Sequence, residues 1–144
     1  MKRERFIQHS KPRRTGAAAV EFAILVPVLL TIVFGAVDLG QYHHAHYGVI
    51  NSARTAAGHA AMSSVTSDAA AWHSEIRQVA LNEMDQLNGF DATLATVTAV
   101  RDFSDGPVPR LRVTVQYPFS TIVGWPLLPT SFQLVHTAEI RAIR

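Results

Sequence analysis

The hydrophobic pattern separates an apolar run near the N-terminus from an amphipathic remainder. Residues 22–37 read FAILVPVLLTIVFGAV, sixteen residues without a charge. A helix of that length covers about 24 Å of the roughly 30 Å hydrocarbon core of a bilayer. Including residues 17–21, AAAVE, lengthens the helix to about 31 Å. The pattern therefore predicts one transmembrane helix over residues 17–40, with a carboxylate near one of its ends.

Beyond this run, apolar residues recur at helical spacing. Helices are predicted from Asp38 to about Met62, and from a cap at Thr66 or Ser67 to about Leu87. The second helix carries an apolar stripe that we expect to lie in the core. The stripe consists of Trp72, Ile76, Val79, Ala80 and Leu87.

The C-terminal part of the chain alternates with the period of a β-strand. The alternation predicts strands over residues 94–103, 111–117 and 132–143, of which the second is the clearest. We expect a small antiparallel sheet of about three strands with one face on the helices. The predicted fold class is α+β: an N-terminal transmembrane helix that continues into an extracytoplasmic helix, then a second helix, then this sheet.

Charge is concentrated at the N-terminus. Residues 1–16 hold six basic residues and one acidic residue, so they carry +5 and the rest of the +2 chain carries −3. Because basic flanks stay on the cytoplasmic side of a membrane helix, we expect a cytoplasmic leader at residues 1–16 and an extracytoplasmic domain at residues 41–144. The net positive charge belongs to the leader, so no nucleic-acid partner is indicated. The absence of cysteine excludes disulfides and thiolate metal sites.

A proline lies inside the predicted membrane helix, at position 27. Pro27 removes the hydrogen bond to the carbonyl of Ala23 and is expected to bend the helix. The Thr31 hydroxyl is expected to bond back to the Pro27 carbonyl and to bend the helix further. A membrane proline tolerated without a function is the alternative.

A secretory signal peptide is the competing interpretation of the apolar run. Val33 and Gly35 would then be the small residues before its cleavage site. The run is longer than the usual stretch of about 7 to 15 residues, and Glu21 interrupts its beginning. We therefore favour a retained membrane anchor.

The string RRTGAAAVEFAILVPVLLTIVFGAVDLG, residues 13–40, resembles the N-terminus of TadE-like proteins. These are pseudopilin-type components of tight-adherence (Flp, type IVc) pilus systems. The resemblance consists of a basic leader ending in Gly16, Glu21 at the fifth position after it, the aromatic Phe22, and an apolar helix with a central proline. The alanine-rich stretch at residues 51–61 and the closing strands also look like those of the family.

The resemblance implies cleavage between Gly16 and Ala17 by a prepilin peptidase, with the helix retained as an anchor in the bacterial inner membrane. It implies a non-catalytic minor pilin or pseudopilin-like component that acts in pilus assembly, secretion and adhesion and needs no cofactor. The implied partners are other pilin subunits and inner-membrane platform proteins. The first mature residue would be alanine rather than the phenylalanine of many pilins, and Phe22 stands where tyrosine is common.

Electrostatics suggests a function for Glu21 that does not depend on the family resemblance. Cleavage would create an ammonium group at Ala17, one helical turn from Glu21 on the same face. The ammonium opposes the helix dipole, whereas the carboxylate complements it. We expect Glu21 to pair with this amine or with that of a neighbouring subunit and so to act as a docking signal. The alternative is an acid that merely reaches the membrane surface.

The segment PFSTIVGWPLLPT, residues 118–130, is apolar but broken by glycine and proline. Such a segment either covers the core or meets a partner. In the second case Trp125 and Leu127 are the expected contacts. Both alternatives stay open on the sequence alone.

Three histidines, at positions 43, 44 and 46, are the dense group of metal-ligating side chains. His43 and His46 are three residues apart on a predicted helix, but zinc needs three or four oriented ligands and Asp38 lies off that face. Metal binding is therefore not expected. The alternative function is a secreted or membrane-anchored enzyme or ligand-binding domain that uses these histidines. The sequence contains no nucleophile elbow or phosphate-binding glycine loop, and no enzyme is predicted.

Overall fold

The computed structural model describes residues 15–63, 69–104, 106, 108–124 and 129–142. In chain order the elements are α1 (Thr15–Met62), α2 (Ala69–Met84), β1 (Thr96–Asp102), β2 (Arg110–Ser120) and β3 (Ser131–Arg141). This order confirms the predicted α+β fold, with a long N-terminal apolar helix, a second helix and a three-stranded antiparallel sheet.

The chain divides into two units, and the first is Met1–Ala36. Its described residues belong to α1, and most of the large apolar side chains in this part of the helix are exposed, among them Phe22, Leu29 and Phe34. By length and composition the helix Gly16–Met62 can cross a membrane, and its mean hydropathy is 2.5 over the most apolar stretch. A helix segment with exposed apolar side chains on every side is stable in lipid rather than in water.

Pro27 lies inside α1 without ending the helix. The Thr31 hydroxyl donates a hydrogen bond to the Pro27 carbonyl oxygen at 2.8 Å, which confirms the predicted back-bond. Because proline has no N–H, the carbonyl of Ala23 loses its usual helical partner.

The second unit, Val37–Arg144, contains the core. The buried Ser52 hydroxyl donates to the Ala80 carbonyl oxygen at 2.8 Å and so joins α1 to α2. His59 Nε2 and Glu75 Oε1, 2.7 Å apart, form a second link between these helices. Small side chains on α1 permit close packing. The buried ones are Ala53, Ala56, Ala57, Ala60 and Ala61.

The predicted apolar stripe of α2 faces the core. Trp72, Ile76 and Ala80 are buried, while Val79 and Leu87 are half-buried and pack against the same cluster. The helical period therefore identified the buried face of α2 correctly.

The second helix ends at Met84, earlier than the predicted Leu87. The Leu87 N–H donates to the Met84 carbonyl oxygen at 2.9 Å in the turn that follows. Leu87 then lies against Gly48 of α1, where an added Cβ would be 2.7 Å from Leu87 Cδ2. Gly48 thus gives the Leu87 side chain its space.

The sheet has the order β1-β2-β3, with both neighbouring pairs antiparallel. Leu111, Val113 and Val115 of β2 are buried, which confirms the clearest alternation in the sequence. β2 continues through Phe119 to Ser120, whereas the sequence predicted an end at Tyr117. The buried Phe119 explains the extension, since its ring packs edge-on against Tyr42 of α1 with the centroids 5.7 Å apart.

Candidate functional site

The candidate processing and assembly residues lie at the start of α1. The helix begins at Thr15, and Gly16, Ala17, Glu21 and Phe22 are exposed on its first turns. Ala17 and Glu21 are four positions apart, so helical geometry places them on one face. The helix therefore has the spacing that a charge pair between an amine at Ala17 and Glu21 requires.

Neither Gly16 nor Glu21 has a packing function in the described residues. An added Cβ at Gly16 would meet no heavy atom within 4 Å. Within the described part of the chain, Glu21 forms no hydrogen bond or ion pair. Substitutions at these positions are therefore expected to leave the described fold intact.

Asp38, the predicted start of the helix beyond the apolar run, is 6% exposed. Its Oδ1 accepts a hydrogen bond from the Ile122 backbone N–H at 2.8 Å, across 84 residues of sequence. An acid directly after an apolar run was the one available signal, but periodicity does not reveal partners so far away. The bond ties the segment after β2 to the residue that follows the uncharged run of residues 22–37.

The segment after β2 is closed at its base. The Thr121 N–H donates to the Thr130 carbonyl oxygen at 3.0 Å, and the Thr121 hydroxyl donates to the Val123 carbonyl oxygen at 2.9 Å. Ile122 is 61% exposed and does not cover the core. The expected partner contacts Trp125 and Leu127 lie outside the described residues.

A cavity of about 590 Å³ opens beside this segment. Its lining comes from α1, from the turn after α2 and from the end of β2. The α1 residues are Gly40, Gln41, His44 and Ala45. Amide, imidazole, hydroxyl and apolar side chains line it, and none of the described lining residues is Asp, Glu, Lys or Arg.

The histidines of α1 contact aromatic rings. The ring centroids of His43 and His46 each lie 5.7 Å from that of Tyr42 and 6.5 Å from that of Tyr47. His44 is exposed and borders the cavity. In the part of the chain that the structure describes, no three His, Cys, Asp or Glu side chains come together to hold a metal ion.

One cation sits against the core. The Arg101 guanidinium carbon lies 3.8 Å from the centroid of the Trp72 ring, and burial lowers the pKa of Arg101. Its Nη2 atom is buried and has no hydrogen-bond partner among the described residues. A cation over an aromatic face is favourable. Stacking on Trp72 thus accounts for this position, which sequence periodicity alone does not predict.

The geometry defines a class of protein, an α+β protein with an N-terminal apolar helix suited to membrane anchoring. The family model described as TadE-like protein matches residues 16–58. This match confirms the resemblance over that segment and supports a pilus-related component. Comparisons with curated proteins and with solved structures found no match.

Proposed function

We infer that this protein is a non-catalytic minor pilin or pseudopilin-like component of a tight-adherence (Flp, type IVc) pilus assembly and secretion system. The observation that carries the proposal is the TadE-like match, which begins at Gly16 and covers the whole apolar helix. The leader residues before Gly16 carry the basic charge that precedes such a helix. Adhesion would follow from the assembled pilus rather than from chemistry in this chain.

The proposed topology places the leader in the cytoplasm and the anchor in the bacterial inner membrane. The positive charge of residues 1–16 supports this orientation, because basic residues are retained on the cytoplasmic side. The unit Val37–Arg144 would then fold outside the cytoplasm. A prepilin peptidase acting at the cytoplasmic face would cut between Gly16 and Ala17.

Assembly is proposed to use the exposed helix of the first unit. Once the leader is removed, the amine of Ala17 and the carboxylate of Glu21 form a charge pair within one chain or between neighbouring chains. Phe22 and the apolar side chains that follow are exposed and available for packing against other membrane helices. Pro27 adds a bend that helps to select partner helices of matching shape. Other pilin subunits and inner-membrane platform proteins are the proposed partners.

Site-specific photo-crosslinking in cells tests this function. A photoreactive amino acid at Ile24, an exposed position of the apolar helix, should capture pilin subunits or platform proteins. The same amino acid at Val100, an exposed position of β1, is the control and should give a different set of products. Crosslinks from Ile24 to lipid alone would contradict lateral helix association.

A further inference from the structure

The segment after β2 is bound to Asp38 of α1. Asp38 follows directly after the uncharged run of residues 22–37, and its carboxylate binds the Ile122 N–H at 2.8 Å. Ile122 is therefore hydrogen-bonded to the residue that follows the run. Leu39, the next residue of α1, is 57% exposed, and Ile122 is 61% exposed.

The two ends of the sheet differ sharply in charge. Residues 113–138, which include most of β2 and β3, contain no Asp, Glu, Lys or Arg. The other end of the sheet carries paired charges, where Asp102 lies opposite Arg110 and Arg112 lies opposite Glu139. Asp38 binds beside the uncharged end of the sheet, and the paired charges lie at the opposite end of β2.

This distribution matches the polarity of a bilayer surface. Charged side chains are costly near the hydrocarbon region, whereas uncharged residues with exposed aliphatic side chains are favoured there. Asp91 is a charged residue that approaches this side of the sheet: its backbone N–H donates to the Tyr117 hydroxyl, and its exposed carboxylate accepts from Thr93 and stays ionised, because these bonds lower its pKa. The uncharged region thus belongs to β2, β3 and the segment between them.

We propose that Leu39, Ile122 and Val123, named here the Ile122 rim, lie in the interfacial region of the phospholipid bilayer that the anchor crosses. The proposal rests on the membrane anchoring included in the proposed function. The bond between Asp38 and Ile122 keeps the rim beside the residue that follows the uncharged run, and the paired charges lie at the other end of the sheet. The occupant of this surface is lipid, and a second copy of the chain or another protein is an alternative that the test distinguishes.

The lack of cysteine in the chain gives a direct test. The full-length variants Ile122→Cys and Phe103→Cys are labelled with the same fluorophore and reconstituted in vesicles of phosphatidylethanolamine and phosphatidylglycerol. The two side chains are matched in exposure, 61% and 56%. Phe103 follows Asp102, which pairs with Arg110 at the start of β2. Ile122 lies just beyond Ser120, at the other end of β2, ten residues from Arg110. At roughly 3.3 Å per strand residue, this separation is about 33 Å.

Brominated phospholipid should quench the label at Ile122 by at least about twofold, because the label lies in the lipid interface, and should leave the label at Phe103 unchanged. A third variant, Leu29→Cys, reports on the anchor itself. Quenching at Leu29 with none at Ile122 would overturn the rim proposal and leave the anchor standing. No quenching at Leu29 would refute the anchor and the rim together. Protection of Ile122 from both lipid and water-soluble quenchers would identify a protein occupant and also overturn the proposal.

Discussion

The variant Asp38→Ala tests whether the buried carboxylate holds the segment after β2 in place. The substitution removes the acceptor of the Ile122 N–H bond, which is 2.8 Å long and belongs to a residue only 6% exposed. Hydrogen bonds to charged groups contribute about 1.5 to 3 kcal/mol to the free energy of unfolding. A domain near 100 residues loses roughly 4 °C in melting temperature per kcal/mol, so Asp38→Ala should melt about 6 to 12 °C below the parent.

The assay is the thermal unfolding of the full chain in detergent, followed by tryptophan fluorescence, to which the buried Trp72 contributes. Asp38→Asn keeps an acceptor oxygen and should lose less stability than Asp38→Ala. The matched control is Asp102→Ala, because Asp102 also accepts a backbone N–H, from Ser104 at 2.9 Å, but is exposed. The melting temperature of Asp102→Ala should fall by less than half of the decrease expected for Asp38→Ala. Equal melting temperatures for the parent and Asp38→Ala would refute the argument that this bond stabilises the domain.

Three further predictions concern assembly, packing and pH. Glu21→Ala should still lose its leader but co-purify poorly with other pilus subunits, with Glu21→Asp intermediate; normal surface piliation in Glu21→Ala cells would show that Glu21 has no docking function. Gly48→Val should lower the melting temperature by displacing Leu87, whereas Gly58→Val, at a position open around its Cα, should have a smaller effect. Hydrogen bonds from Arg112, the larger cause, and from Arg110 lower the pKa of Glu139 below its ordinary 4.5. The parent should therefore be more stable than Glu139→Gln above that pH, and this difference should disappear as the pH falls through the lowered pKa of Glu139. A difference between the melting curves that does not depend on pH would contradict the pair.

The order of elements was predictable because each depends on local periodicity. The apolar run, the stripe ending at Leu87 and the alternation around Val113 predicted the two helices and the central strand. The end of β2 was not predictable in the same way, since proline is unfavourable inside a sheet. Pairing with β1 stops at Gln116, so beyond it β2 is paired with β3 alone. Pro118 is tolerated there because one side of the strand has no ladder to complete.

The site was predictable only where it is local. Glu21 and Gly16 lie within a few residues of each other, so spacing and charge suffice to single them out. The bond of Asp38 to Ile122 and the stacking of Arg101 on Trp72 join residues that are distant in sequence. Which residues meet across such distances is determined by the packing of α1, α2 and the sheet, and periodicity carries no information about it.

Cleavage after Gly16 distinguishes a pilin-like subunit from a plain signal anchor and from a secreted protein. The most direct measurement is the N-terminal mass of the chain isolated from cells that contain the prepilin peptidase, beside the variant Gly16→Leu. An added side chain at Gly16 meets nothing in the described structure, so the variant should fold and yet keep its leader. The mature chain is expected to begin at Ala17. A chain that begins at Met1 or Ala36 would contradict it.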